Sequence, residues 1–408
     1  MRRMCFLDNG RTENFFSENL RLFFFGKTKI SYGICKKCGL IIQNNTVEPK
    51  LLKNYYDHLT VAFDNLYQPT QDKIKSVKRH INIVKDEIKK FPKSVLEVGV
   101  FNTYNLKQFK KNGSRIVNGI EPSKKVSKII NSNENIKIFC GNIENFNFKI
   151  NYDLIIMSHV LEHFYDPLKV LKKCFKNQKQ NQYLLLEVPL FENINDYPNG
   201  AFHLEHLNYF NEKNFIMMIE KAGYKPVHIS KTTESTAFPF LTVIAKKIGK
   251  KTKHSSYKKE WFPHLKSYKN LKVIDVKENK KKDFNYFNQL QNAKNYLKRN
   301  KLLWNAIDRK INKFDKKKPI YIFGAGFHGS QFLNYTNVEK KFNIIGFLDS
   351  SMSKHNQFIG NYKIFNPYDK NLNFKSNIII SSIYSEKSIH KSLGFLRKKG
   401  VRTYRLYE

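Results

Sequence analysis

Lys93-Ser94-Val95-Leu96-Glu97-Val98-Gly99 sets the fold: it reads as a buried strand that ends in an acidic residue and a glycine. A nucleotide-like ligand needs that ending at the carboxyl edge of a parallel sheet, where backbone must approach it closely. Just upstream, Ile74, Val77, Ile81, Val84 and Ile88 recur near helical spacing, which predicts a helix over about Thr70–Lys90 that Pro92 stops. Downstream, strand and helix patterns alternate from Ser94 to about Lys247, as in a parallel sheet covered by helices.

A second strand, Ile116–Glu121, carries Glu121 at its tip, placed to accept hydrogen bonds from both hydroxyls of a ribose. A third, Ile136–Phe139, leads into Cys140-Gly141-Asn142-Ile143-Glu144, where polar Asn142 and apolar Ile143 suit the two sides of an adenine. The fourth lies in Tyr152–His163, with His159 lining the pocket and His163 packing or capping; the fifth is Tyr183–Pro189. The turn after the first strand runs Gly99-Val100-Phe101-Asn102-Thr103-Tyr104. There Phe101 and Thr103 put Cβ atoms where close backbone approach and a positive φ are expected.

In order and spacing, VLEVG (95–99), GIEPS (119–123), GNIE (141–144), YDLIIMSHVLEH (152–163) and LLLEVP (184–189) resemble the class I methyltransferase family. FHLEHLNYF (202–210) and EKAGY (220–224) match its later segments. The resemblance implies an α/β, Rossmann-like domain that takes S-adenosylmethionine, with Glu97, Gly99, Asn102, Glu121, Asn142, Ile143 and His159 binding it. The departure is the loop after the first strand, which in the family usually carries further glycines and here keeps only Gly99.

Such a cofactor already carries an activated methyl group, so the protein must align the attack and remove a proton. A histidine with a nearby carboxylate suits proton removal near neutral pH. His203-Leu204-Glu205-His206 follows the fifth strand. It resembles the Glu-His pair that supports proton abstraction in the sugar C-methyltransferases: Glu205 and His206 align, and His203 stands where a tyrosine is expected. The alternative is that His206 merely anchors the segment.

Near the amino end, Cys35-Lys36-Lys37-Cys38-Gly39 is a zinc-knuckle half-site, two thiolates on a tight turn. Cys5 lies upstream, with Asp8 where its partner cysteine is expected. The pattern resembles the small structural zinc module of the sugar C-methyltransferases; a metal-free remnant packed on apolar residues is the other reading. Cys140 and Cys174 read as buried small hydrophobes. At the carboxyl end, Pro319–Gly329 places a GxGxxG between a strand and a helix, and Ile344–Asp349 ends in a carboxylate. This unit resembles the C-terminal Rossmann-like domain of the same family, with Asp349, Lys354 and Gly360 echoing its motif. It serves either nucleotide-sugar diphosphate recognition or a structural lid.

The formal charge of +39 first suggests nucleic acid. The lysines, however, are spread from end to end without RGG-like or RNP-like patterns, which favours solvated faces with some attraction for anionic substrates. No run of 18 apolar residues is long enough to span a membrane, and the start lacks the apolar stretch of a signal peptide. Five cysteines, two in a CxxC, fit a reducing cytoplasm. The order is then a cysteine module (1–58), a methyltransferase domain (59–247), a basic helical connector (248–316, with lysine runs at 250–251 and 280–282 and helical periodicity over Gln289–Phe314 through Leu290, Ala293, Leu297 and Leu302) and a Rossmann-like unit (317–408). It implies methyl transfer to a sugar or nucleotide-sugar in bacterial surface-polysaccharide synthesis. The competing reading is a non-catalytic nucleotide-sugar-binding or scaffold protein. Oligomeric state is not legible.

Overall fold

The computed structural model describes residues 3–22, 26–45, 69–133, 136–192, 201–232, 239–248, 284–382 and 385–407. The first sheet is antiparallel: β1 (Thr12–Leu22), β2 (Gly26–Cys35) and β3 (Ile41–Gln43).

Helix α1 (Gln71–Glu87) forms where the apolar spacing predicts it, with the Thr70 hydroxyl accepting from Lys73 N as its cap. Val77, Ile81 and Val84 are buried on its inner face. Then follow β4 (Ser94–Val98), α2 (Tyr104–Lys111), β5 (Ile116–Glu121), α3 (Lys124–Asn133), β6 (Lys137–Cys140), β7 (Leu154–Ser158), α4 (Pro167–Asn177) and β8 (Tyr183–Pro189). The stretch closes with β9 (Asn208–Tyr209), α5 (Glu212–Lys221), β10 (Tyr224–Thr232) and β11 (Phe240–Lys247). The sheet order is β10-β11-β8-β7-β4-β5-β6, with only β11 running against its neighbours. Strand β4 is buried along its whole length, as a central parallel strand must be. The chain leaves β4 toward β5 on one side and returns as β7 on the other, so the strand order reverses at the carboxyl end of β4. Open α/β sheets bind ligands at such a switch point.

Strand β9 does not join that sheet. It pairs with β3, so the amino-terminal sheet is completed by a strand from the methyltransferase stretch, across the boundary expected near residue 58.

Helix α6 (Phe284–Ile311) covers the expected connector helix but is not a free linker. Its first half buries Ala293 and Tyr296 among Tyr32, Phe191, Phe202 and Tyr209; its second half buries Trp304, Ile307 and Ile311 in the carboxyl-terminal core. Leu302, expected on the apolar stripe, is 59% exposed, because Tyr296 and Trp304 carry the stripe instead. The lysine runs at 250–251 and 280–282 lie outside the described residues. The last sheet orders β14 (Phe358–Ile359), β15 (Tyr362–Phe365), β13 (Ile344–Leu348), β12 (Ile320–Phe323), β16 (Asn377–Ile380) and β17 (Thr403–Arg405) side by side. It is parallel apart from the β14–β15 hairpin. Among the described residues no helix is long and apolar enough to cross a membrane. Cys174 is buried as expected, whereas Cys140 is exposed at the end of the edge strand β6.

Candidate active site

The carboxyl end of β4 turns at Gly99, whose φ is +77°. Both Gly99 N and Val100 N donate to Ile120 O, tying the turn to β5. An alanine Cβ at Gly99 would lie 2.7 Å from Val160 Cγ2, so the glycine serves both φ and close approach. Phe101 and Thr103 do not need positive φ, contrary to the expectation for this loop. Asn102 Oδ1 accepts from Tyr104 N (3.2 Å), an Asx turn that starts α2. Phe101 is exposed and Thr103 buried.

Glu97 is buried beneath this loop. Its Oε1 accepts from Asn105 Nδ2 (3.0 Å) and lies 3.7 Å from Lys73 Nζ, while its buried Oε2 has no hydrogen-bond partner. Glu121 is buried at the tip of β5 and accepts from Ser123 N (2.8 Å). After β6, Gly141 takes φ +144° with open space where a Cβ would stand; Asn142 is exposed and Ile143 buried. His159 follows β7 in the left-handed region (φ 55°), its N–H donating to Glu187 O. Its ring lies 3.4 Å from Glu187 Oε1 and 3.8 Å from Glu162 Oε1. Burial works against a charge on His159, but the hydrogen bond and charge of Glu187 outweigh it and raise its pKa.

Glu187 is a residue whose role the sequence did not reveal. Fully buried, it accepts from Ser158 Oγ, Thr242 Oγ1, Arg79 Nη2 and His80 Nε2, joining β7, β11 and α1 beneath the pocket.

The segment 201–210 folds back over the start of the 3-10 turn Leu161–His163. Leu207 N donates to Glu162 O, Gln43 Nε2 to Leu204 O, and the Tyr32 hydroxyl to His203 O (2.5 Å). The amino-terminal module therefore holds this segment in place. It gathers three imidazoles: ring centroids are 4.0 Å apart for His203–His206 and 5.0 Å for His163–His206. Burial lowers the pKa of both His203 and His206, the latter well below the usual range with His203 and His163 adding to the effect. Both rings are neutral at pH 7. Glu205 and His206, the pair expected from the sequence, share no side-chain hydrogen bond or ion pair among the described residues; Glu205 instead offers its backbone carbonyl to His163 Nδ1 (2.9 Å). Neighbours in a turn point different ways. The carboxylate grouped with His206 is that of Glu162, which the sequence reading left unassigned.

The four amino-terminal candidates do come together: ligand atoms of Cys5, Asp8, Cys35 and Cys38 lie within 4.8 Å of one another. Cys5 Sγ and Cys38 Sγ are 3.6 Å apart, and Cys35 Sγ is 3.3 Å from Asp8 Oδ1. A Cβ at Gly10 would lie 2.5 Å from Cys35 Sγ, so glycine leaves room for the cluster. In the carboxyl-terminal unit, Gly324 turns with φ +110°, and Asp349 Oδ2 accepts from Ala325 N and pairs with Lys354 Nζ (3.0 Å).

A family model described as a methyltransferase domain matches residues 76–229. Among solved structures, the chain is similar to the 1,6-didemethyltoxoflavin N1-methyltransferase of Burkholderia thailandensis, solved with 1,6-didemethyltoxoflavin and S-adenosylhomocysteine bound. Identity is 14% over 54% of this chain and 96% of that one, with a TM-score of 0.39. It is also similar to the N-methyltransferase NodS of Bradyrhizobium japonicum in complex with S-adenosylhomocysteine (11% identity, 48% and 98% covered, TM-score 0.39). A third is the [4+2]-cyclase SpnF (8% identity, 50% and 98% covered, TM-score 0.41). No curated protein matches the sequence. Likeness of this size leaves the chemistry to be argued from the residues. Residues 76–229 match that model and, completed by β11, lie on a seven-stranded sheet with one reversed strand: the centre of this chain is a methyltransferase domain.

Proposed function

We propose that this methyltransferase acts on a sugar or nucleotide-sugar, at carbon or oxygen, in the synthesis of a bacterial surface polysaccharide. The observation that carries the reading is the neutral histidine cluster on segment 201–210, held by Tyr32 and Gln43 next to the loop that follows β7. A polar acceptor with an acidic hydroxyl or α-carbon needs such a base; a purely apolar acceptor does not. The basic surface suits a diphosphate-bearing substrate.

The pocket fits S-adenosylmethionine, which when bound supplies an activated methyl group. Gly99 and Gly141 leave backbone room, Glu97 Oε2 is a buried acceptor awaiting a donor such as the cofactor's amino group, and Glu121 faces the ribose position. Asn102, Asn142, Ile143 and His159 line the remaining edge. His206 serves as the base, with His203 and Glu205 shaping its surroundings. The clustered Cys5, Asp8, Cys35 and Cys38 fit a structural zinc, three thiolates and one harder oxygen. The alternative, a non-catalytic scaffold, loses ground because Gly99 keeps its φ and the buried Glu97 oxygen would be left without a partner.

Calorimetry with S-adenosylhomocysteine, followed by transfer of labelled methyl from S-adenosylmethionine to a panel of nucleotide-sugars, tests this. Glu121→Ala abolishes binding, while His206→Ala keeps it and loses transfer. No heat from either cofactor form at high protein concentration would sink the enzyme reading. Binding without transfer to any sugar in the panel would sink the substrate.

A further inference from the structure

We propose that Glu162, His163 and His206 form a divalent-cation site beside the cofactor pocket, suited to zinc, manganese, cobalt or iron(II). One oxygen and two ring nitrogens of these residues lie within 4.8 Å of one another, near enough for small side-chain rotations to bring them to the roughly 3.3–3.6 Å that tetrahedral ligands at about 2.0–2.2 Å from one ion take. Two separate segments supply them: Glu162 and His163 from the turn after β7, His206 from the returning segment that Leu207 N clips to Glu162 O.

The carboxylate of Glu162 is the second, independent observation. It is 1% exposed, and among the described residues neither of its oxygens accepts a hydrogen bond. A buried carboxylate is normally hydrogen-bonded, paired at contact distance or bound to a metal. Here the nearest ring nitrogens, His159 Nδ1 and His163 Nε2, stand back at 3.8 Å, too far for a hydrogen bond. The tautomer of His163 sharpens the point. Its Nδ1 lies 2.9 Å from Glu205 O, and a carbonyl can only accept, so that nitrogen carries the proton. In the neutral ring Nε2 then presents its lone pair on the side of the carboxylate. Two acceptors facing across a gap of this size call for a cation between them, and a ring N–H held by a backbone carbonyl is how metal-bound histidines are oriented.

Two imidazoles and one carboxylate suit a borderline ion and disfavour magnesium or calcium, which select oxygen. Three protein ligands leave coordination positions open, and an acceptor hydroxyl or carbonyl oxygen placed there is polarised toward ionisation. His206 then holds the ion instead of taking the proton. The site does not depend on the substrate being a sugar: an ion here replaces the base role given to His206 above, which the cobalt titration tests, while the substrate is tested separately by methyl transfer to the nucleotide-sugar panel.

The test is titration of the chelator-treated full chain with cobalt(II), followed by absorption. The cysteine cluster, if it binds, gives intense near-ultraviolet thiolate charge-transfer bands; the proposed site gives only weak visible bands. Wild type is expected to take one equivalent without thiolate bands. Glu162→Gln, a near-isostere, and His206→Ala, on the other segment, each lose that equivalent. Both keep the thiolate-linked one wherever wild type shows it, together with the wild-type circular dichroism. A wild type that binds cobalt only with thiolate bands, or not at all, overturns the proposal whatever the variants do. So does Glu162→Gln retaining the thiolate-free equivalent, which would place the ion away from the Glu162 carboxylate.

Discussion

Replacing Glu187 by alanine removes a fully buried carboxylate whose four closest side-chain donors among the described residues are Thr242 Oγ1 and Arg79 Nη2 at 2.6 Å, Ser158 Oγ at 2.9 Å and His80 Nε2 at 3.1 Å. The guanidinium of Arg79 keeps 21% of its side-chain surface, so it recovers some hydration; His80 at 1% cannot. Breaking a buried pair by removing one partner costs about 3–5 kcal/mol. At about 2–4 °C per kcal/mol for a domain of this size, the melting temperature falls by roughly 6–20 °C. Glu187→Gln lies between, because its carbonyl still accepts from Thr242 or Ser158 while its NH2 opposes Arg79 or His80. The pH dependence supplies a second reading. Burial alone would raise the Glu187 carboxyl, but the charges and hydrogen bonds of His80 and His159 outweigh it and hold it well below its ordinary value. A depressed carboxyl stabilises the fold above its unfolded pKa of about 4.3, and that contribution is lost as pH falls through the folded value. The gap between wild type and Glu187→Ala in thermal melts should therefore be full at pH 7 and narrow below about pH 4. A melting temperature within about 2 °C of wild type at pH 7 would refute the argument, since it would leave no room for a buried ion pair of the usual size.

Gly99→Ala forces a side chain into the left-handed region against Val160, at roughly 1–2 kcal/mol for the backbone and 1–3 for overpacking; urea melts should show the loss, and S-adenosylhomocysteine affinity should fall at least tenfold. Glu18 behaves oppositely to Glu187: burial lifts its carboxyl to about 7 against the opposing hydrogen bond from Tyr335. Its contribution is fully present below the unfolded value and lost as pH rises through about 7, up to about 3 kcal/mol. Glu18→Gln should flatten the decline in stability between pH 5 and 8, and an unchanged slope would count against it.

The parallel sheet was legible because buried strands are short apolar runs that end in carboxylates and glycines, and Val95–Gly99 and Gly119–Glu121 have little else to be. Helix α1 was legible from its own stripe, Val77 to Val84. The histidine cluster was only half legible. His203 and His206 could be named from their segment, yet the partner of His206 is Glu162, some forty residues back, and depends on how 201–210 folds onto the turn after β7. Adjacency in sequence pointed to Glu205, whose carboxylate acts on His203 and makes no hydrogen bond or ion pair with His206 among the described residues. Glu187 looked like one more strand residue, since its four closest donors come from α1, β7 and β11 and meet only in three dimensions. The stripe of α6 was misread at Leu302 because two cores, not one, set which residues turn inward.

The pairing of Ile41 with Tyr209 and of Ile42 with Asn208 also has a consequence for how the chain is made. During synthesis at about 5–20 residues per second, β3 leaves the ribosome roughly 10–30 s before its partner strand exists. For that interval β3 is an open edge of a small antiparallel sheet, the kind of surface on which chains pair wrongly. It is closed only when the seven-stranded sheet has brought segment 201–210 back, a long-range contact that must await the entropy cost of the intervening loop. The histidine cluster is thus assembled late, and a chain released early would carry the Gly99 turn without the histidines of segment 201–210.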